Sequence, residues 1–263
     1  MKFLLVLLAI ASVATSHEFQ ERIDAYDRSI SSQVIEYIEK IQKQMPCGFP
    51  RLGLGPLSPA RLSHREIALN SDSLAIGGEI NDFILYGLDD FDIVNLRINV
   101  ILSKITFEFK WPKMHFDTKY NMNMNTGNNK WKLGLNGRAK LAIEDLTVVG
   151  SAKYSMLSKL RLKELKVSAT IGDAKSEIEN LSSMKIVNKK LNEIVEEWIL
   201  MVVNENTKEM EQLSNKFVVP LVNDKIGDAT LSDLLALILG GGGGSQENQE
   251  ECIPAEAIAK DVL

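Results

Sequence analysis

The sequence predicts an α+β fold: a long C-terminal helix wrapped by a highly curved antiparallel β-sheet, with a hydrophobic tunnel between them. Two observations carry this expectation. Between Met184 and Val219 there is neither Gly nor Pro, and apolar residues recur at helical spacing at Val187, Leu191, Ile194, Val195, Trp198, Met201 and Val202. The block from about residue 63 to 182 reads instead as strand after strand with short connections. A helix ending before Pro220 would be roughly 50 Å long at about 1.5 Å per residue, so only those strands can cover its stripe. A helix that is half wall and half core predicts a lined passage.

The chain opens with MKFLLVLLAIASVATS, in which Lys2 precedes an apolar run from Phe3 to Ala11 and small residues follow at Ala14 and Ser16. This is the pattern of a secretory leader, residues 1–16, cut before His17, and the run is shorter than the ~20 residues a membrane span needs. The expected organisation is this leader, one domain over residues 17–239, and a Gly-rich tail over 240–263. From Glu18 to Met45 the spacing of Ile23, Tyr26, Ile30, Val34, Ile38 and Ile41 predicts an amphipathic helix stopped by Pro46. Four prolines and three glycines between Pro46 and Pro59 then leave only extended chain.

Strands follow. From Val94 to Leu102 the apolar residues Val94, Leu96, Ile98, Val100 and Leu102 alternate with polar ones, and the parity flips at Ser103-Lys104, which predicts a bulge and a bend. Ile105, Phe107, Phe109 and Trp111 carry the apolar face beyond the flip; after Pro112 it passes to Met114, Phe116, Tyr120, Met122 and Met124. A turn at 126–129 leads into Trp131, Leu133, Leu135, Ala139, Leu141 and Ile143, and a second parity change falls near Lys163-Glu164. Hairpin on hairpin implies an antiparallel meander. Past the long helix, SDLLALIL (Ser232 to Leu239) reads as a short apolar helix capped near Asp228 or Thr230.

Net charge is −5 and becomes one unit more negative when Lys2 leaves with the leader, so the chain offers no footprint for nucleic acid. Its two cysteines, Cys47 and Cys252, would pair in an oxidising compartment; free or intermolecular thiols are the alternative. Asn180-Leu181-Ser182 is an N-glycosylation acceptor.

Taken in this order the segments resemble the insect haemolymph juvenile-hormone-binding and takeout-like proteins of the tubular lipid-binding superfamily. The resemblance covers roughly residues 45 to 225. It rests on GFPRLGLGPLSPARL (Gly48 to Leu62), YGLDDFDIVNLRINV (Tyr86 to Val100) and AIEDLTVVGSAKY (Ala142 to Tyr154). It implies a tunnel that carries apolar ligands such as terpenoid hormones or fatty acids. The chain departs from the family in one respect: the resemblance implies two cysteines close together near the mature N-terminus, whereas here the partner of Cys47 lies in the tail. Mite group 7 allergen-like proteins are neighbours of the same broad fold.

Nothing points to catalysis or to a cofactor. His17, His64 and His115 lack ligand-spaced partners, so no metal site is expected, and Asp89-Asp90 reads as a solvated turn. No nucleophile elbow, zinc or phosphate-loop motif occurs. The informative residues are apolar and are expected to share inward faces: Phe107, Phe109, Trp111, Met114, Phe116, Tyr120, Met122, Met124, Trp131, Tyr154 and Met156, with Trp198 and Met201 from the helix. Many must be plain core, but methionines give a lining that adapts to varied ligand shapes. Tyr120 and Tyr154 are the candidate hydrogen-bond donors. Enclosing about 400 Å² of apolar ligand surface would offer roughly 10 kcal/mol before association costs. The expected partner is therefore an apolar small molecule. The competing expectation is a non-enzymatic module, innate-immunity-like or allergen-like, that docks a lipid surface or protein receptor through residues 231–239.

Overall fold

The computed structural model describes residues 2–49, 55–70, 74–126, 131–155, 159–230, 233 and 252, with side chains from residue 23 onward except at a few strand and helix ends. Its centre is an open antiparallel sheet of seven strands: β1 (Ala60–Asn70), β2 (Leu74–Tyr86), β3 (Asp92–Asn99), β4 (Lys104–Thr126), β5 (Trp131–Ser155), β6 (Arg161–Thr170) and β7 (Asp173–Ile178). The helices are α1 (Lys2–Gln44), α2 (Lys185–Glu205), α3 (Thr207–Leu213), a π-helical turn (Ser214–Val218) and α4 (Val219–Ile226). The expected leader and the expected first helix thus lie on one element. No described helix is long and apolar enough to cross a membrane.

The two long strands β4 and β5 pair along their whole length and hold two half-sheets together. Towards one end β4 takes β3 and β5 takes β6; towards the other β4 takes β2, which carries β1, while β5 takes β7. The halves meet where Asp145 of β5, at φ 53°, stands opposite Pro112 of β4, which has no N–H to donate. The expected bend at Ser103-Lys104 is not a bulge: residues 100–103 form the β3–β4 turn, with Ser103 at φ 48° and its N–H donating to the Val100 carbonyl. The bulges lie between Asn81 and Ile84, between Ile93 and Asn95, and, as the sequence parity implied, in β6 at Lys163. The slip between Ile93 and Asn95 explains why Val94, expected inside, is 55% exposed while Ile93 and Leu96 point inward.

The single long helix expected over 184–219 is not continuous. It breaks at Asn206, loosens into the π turn, and then runs through Pro220 to Ile226, because proline in a first helical turn sacrifices no hydrogen bond.

Side chains, rather than strands, close two edges of the sheet. The free edge of β6 and β7 is met by asparagines, each accepting from a backbone N–H and donating to the C=O of the same residue: Asn192 with Ile178 (2.7 and 3.1 Å), Asn204 with Ile171 (2.8 and 3.2 Å), Asn215 with Leu165 (3.0 and 2.6 Å) and Asn223 with Leu162 (2.8 and 2.9 Å). An amide side chain reproduces the donor and acceptor of a neighbouring strand, so each pair satisfies edge groups that would otherwise template association. On the β3 edge α1 does the same with other residues: Ser31 Oγ accepts from Ile98 N–H (2.9 Å), Asp27 Oδ1 from Val100 N–H (3.2 Å), and Gln42 Nε2 donates to the Asp89 and Phe91 carbonyls (2.6 and 2.7 Å). The outer edge of β1 has no such cover among the described residues, and residues 61–66 there are exposed.

Candidate functional site

Register fixes which side chains share a face, because directly paired residues project to the same side and alternate ones to the other. In the half built from β3 to β6 the rows read Ile98, Ile105, Ala152, Leu165; then Leu96, Phe107, Gly150, Val167; then Ile93, Phe109, Val148, Ala169. The reverse face is polar, with rows such as Arg97, Thr106, Ser151, Lys166. In the other half the apolar rows are Met114, Ile143, Ala174; Leu85, Phe116, Leu141, Ser176; and Ile80, Tyr120, Gly137.

The expected lining therefore divides into two patches. Phe107, Phe109, Trp111 and Tyr154 belong to the first, Met114, Phe116, Tyr120 and Met122 to the second, and the inward parity of β4 changes across Pro112. Trp111 and Met114 are three residues apart in an unshifted register, so the change of apolar parity that the sequence places after Pro112 falls at the joint with Asp145. Met124 and Trp131 extend the second patch by register, but their side chains, like all of Met156, lie outside the described residues.

The first patch is aromatic. Phe91, missed in the sequence because it sits in the turn before β3, stacks edge-on to Phe109 (5.7 Å between centroids) and against Trp111 (5.4 Å), and Phe107 follows at 5.8 Å from Phe109. Trp111 donates to the Leu88 carbonyl at 3.1 Å. The Phe107 ring lies over Gly150, where any Cβ would collide with it. Tyr154 ends this patch with 9% of its surface exposed, and burial, with a smaller contribution from the Asp27 carboxylate, raises its pKa. In the second patch burial likewise raises the pKa of Tyr120, whose hydroxyl donates to the Glu179 carbonyl and is thereby spent on the protein.

α2 flanks the second patch. Its Asn192 and Glu196 reach Ile178 and Ser176 of β7, and its charged side (Glu193, Glu197) shares an open cleft with Asp173 and Lys175 on the polar side of the sheet. Ile194, Trp198 and Met201, at 58%, 56% and 48% exposure, lie on the side of α2 turned away from Asn192 and Glu196, and so away from β7. Among the described residues no closed passage is seen beside Trp198: the sheet is open, Trp198 is 56% exposed, and two open clefts are lined mainly by charged side chains and border none of the expected lining. What the fold presents is an open sheet whose apolar rows make two patches.

Cys47 and Cys252 are joined, with Cα atoms 5.9 Å apart, which ties the tail to the end of α1. Asn180 sits exposed in the turn between β7 and α2, its Nδ2 donating to the Asn136 carbonyl at 2.7 Å. Among the described residues no cluster of His, Cys, Asp and Glu is arranged to hold a metal. Thr230 and Asp233 cap one another, the side chain of each accepting from the other's N–H (3.2 and 2.8 Å); the remainder of the expected 232–239 helix lies outside the described residues.

The family model for the haemolymph juvenile hormone binding protein matches residues 3–236. Among solved structures the chain is similar to Takeout 1 of Epiphyas postvittana, at 15% identity over 80% of this chain and 90% of that one, with a TM-score of 0.44. It is similar also to a lipopolysaccharide binding protein, at 8% identity over 73% of this chain and 39% of that one, with a TM-score of 0.31. No curated protein matches.

Proposed function

The chain belongs to the haemolymph juvenile hormone binding protein family, and from that premise we propose that it is a secreted carrier of a small hydrophobic ligand, terpenoid-like or fatty-acid-like. The observations that support the reading are the apolar rows of the open sheet and, among the described residues, the exposed Ile194, Trp198 and Met201 of α2. Apolar surface on this scale is stabilised by an occupant, and burial of a lipid chain against it supplies the driving force. The N-terminal 16 residues act as the leader, the Cys47–Cys252 bond forms in the oxidising compartment it leads to, and Asn180 is glycosylated there.

Protein secreted from eukaryotic cells, extracted with organic solvent and examined by mass spectrometry, should release a co-purified lipid. Trp198→Ala should weaken displacement of a fluorescent fatty-acid probe by about three- to tenfold. A clean extract from protein that also fails to bind the probe refutes the carrier reading.

A further inference from the structure

Along α2 the residues Met184, Val187, Leu191, Ile194, Trp198 and Met201 recur at alternate steps of three and four, from the cap residue almost to the end of the helix. That spacing is the a/d seam of a coiled coil. At about 100° per residue the seam lies roughly 130° round the helix from Asn188, Asn192 and Glu196, which bond β7. Leu191 is half-buried and the other five are exposed. A helix that had only to cover one sheet would keep a polar outer face, so an apolar seam there is surface suited to another helix.

The flanking charges say which helix, and in which direction. With the seam at a and d, Lys190 and Glu197 occupy successive g positions, both exposed, and Val195 and Val202 occupy e positions. Set against a second copy running antiparallel, Leu191 meets the partner's Ile194, Val187 the partner's Trp198 and Met184 the partner's Met201. Lys190 then stands opposite the partner's Glu197, and Glu197 opposite the partner's Lys190. In a parallel pair the same two charges would face valines. The surface is thus complementary to itself about a two-fold axis, an arrangement that closes at two copies. Within its own helix Lys190 pairs with Glu193, an exposed contact that contributes little and is readily exchanged.

We propose that α2 is a dimerisation helix, through which two copies of this chain associate antiparallel along the seam, with reciprocal Lys190–Glu197 ion pairs setting the direction. This goes beyond the carrier reading. The exposed Ile194, Trp198 and Met201 support both, whereas the charges at 190 and 197 belong to the dimer alone, so the test is placed on them.

Sedimentation equilibrium of the full secreted chain across the micromolar range should show wild type passing from monomer to dimer and no further. Lys190→Glu and Glu197→Lys each set like charges face to face twice, and each should raise the dimer Kd about tenfold. The double variant restores both pairs with their signs reversed and should return to within about threefold of wild type. Ile194→Asp should leave only monomer. Binding of a fluorescent fatty-acid probe by the two charge variants should match wild type. A wild type that stays monomeric, that grows past two copies, or whose double variant is as weak as either single one overturns the proposal, and none of these results bears on the co-purified lipid that tests the carrier reading.

Discussion

Replacing Asn192 by Ala tests how the helices are held to the sheet. Asn192 is 8% exposed, accepts from Ile178 N–H and from Ser176 Oγ (2.9 Å), and donates to the carbonyls of Ile178 and Asn188. After truncation the Ile178 carbonyl still receives Asn188 Nδ2 at 2.9 Å, and Ser176 Oγ keeps the Asn192 carbonyl at 3.3 Å. The Ile178 N–H has no substitute and little access to water. One fully orphaned donor costs about 1–3 kcal/mol, and the weakened bonds around it bring the expected loss to about 2–4 kcal/mol. Asn204 makes the same pair of bonds with Ile171 but is exposed, so water replaces it and Asn204→Ala should cost about 0.5–1.5 kcal/mol. Urea unfolding followed by tryptophan fluorescence measures both, and hydrogen exchange reads the Ile178 amide directly. Equal losses for the two variants, or an Ile178 amide that stays protected in Asn192→Ala, would show that the asparagines do not carry the edge.

Three further outcomes are expected. A methyl group on Gly150 would strike the Phe107 ring and lie 2.7 Å from the Lys166 carbonyl, so Gly150→Ala should destabilise by about 1–3 kcal/mol, partly recovered by Phe107→Leu in a double-mutant cycle. Cys252→Ser opens a loop of 205 residues and should lower the melting temperature, with about 5 kcal/mol as the ceiling of the chain-entropy model; a reducing agent should do to wild type what the substitution does. The bidentate Arg138 hydrogen bonds hold the Asp117 carboxyl below its ordinary value of 3.8, so its contribution is present above that pH and is lost as pH falls through the lower folded value. The melting-temperature difference between wild type and Asp117→Asn should therefore shrink in that acid window, and a difference unchanged down to the acid limit would contradict it.

Strand alternation was legible because burying one face of an antiparallel sheet forces period two, and Ile105 to Phe109 obeys it without exception. The joint at Pro112 was not, because its second half is a backbone angle at Asp145 that no side-chain pattern announces. On α2 the apolar spacing identified the helix but assigned its buried side wrongly: Trp198 is open, and Asn192 is inside. Hydropathy ranks asparagine as surface, yet its carboxamide matches both a strand's donor and its acceptor. A signal did exist. Asparagines at 188, 192, 204, 215 and 223 recur through a segment where that residue weakens a helix, and such a cost implies a use. Tyr120 and Tyr154 looked alike in the sequence; only the fold separates them, through the Glu179 carbonyl that one of them finds.

With β3, β6 and β7 sheathed by side chains, β1 is, among the described residues, the uncovered border where a foreign strand could add itself. Arg61, His64, Arg65 and Glu66 stand exposed along it, and such charges make edge-to-edge stacking of copies costly. Neutralising those ionic residues on the first strand should therefore favour association of copies through this border.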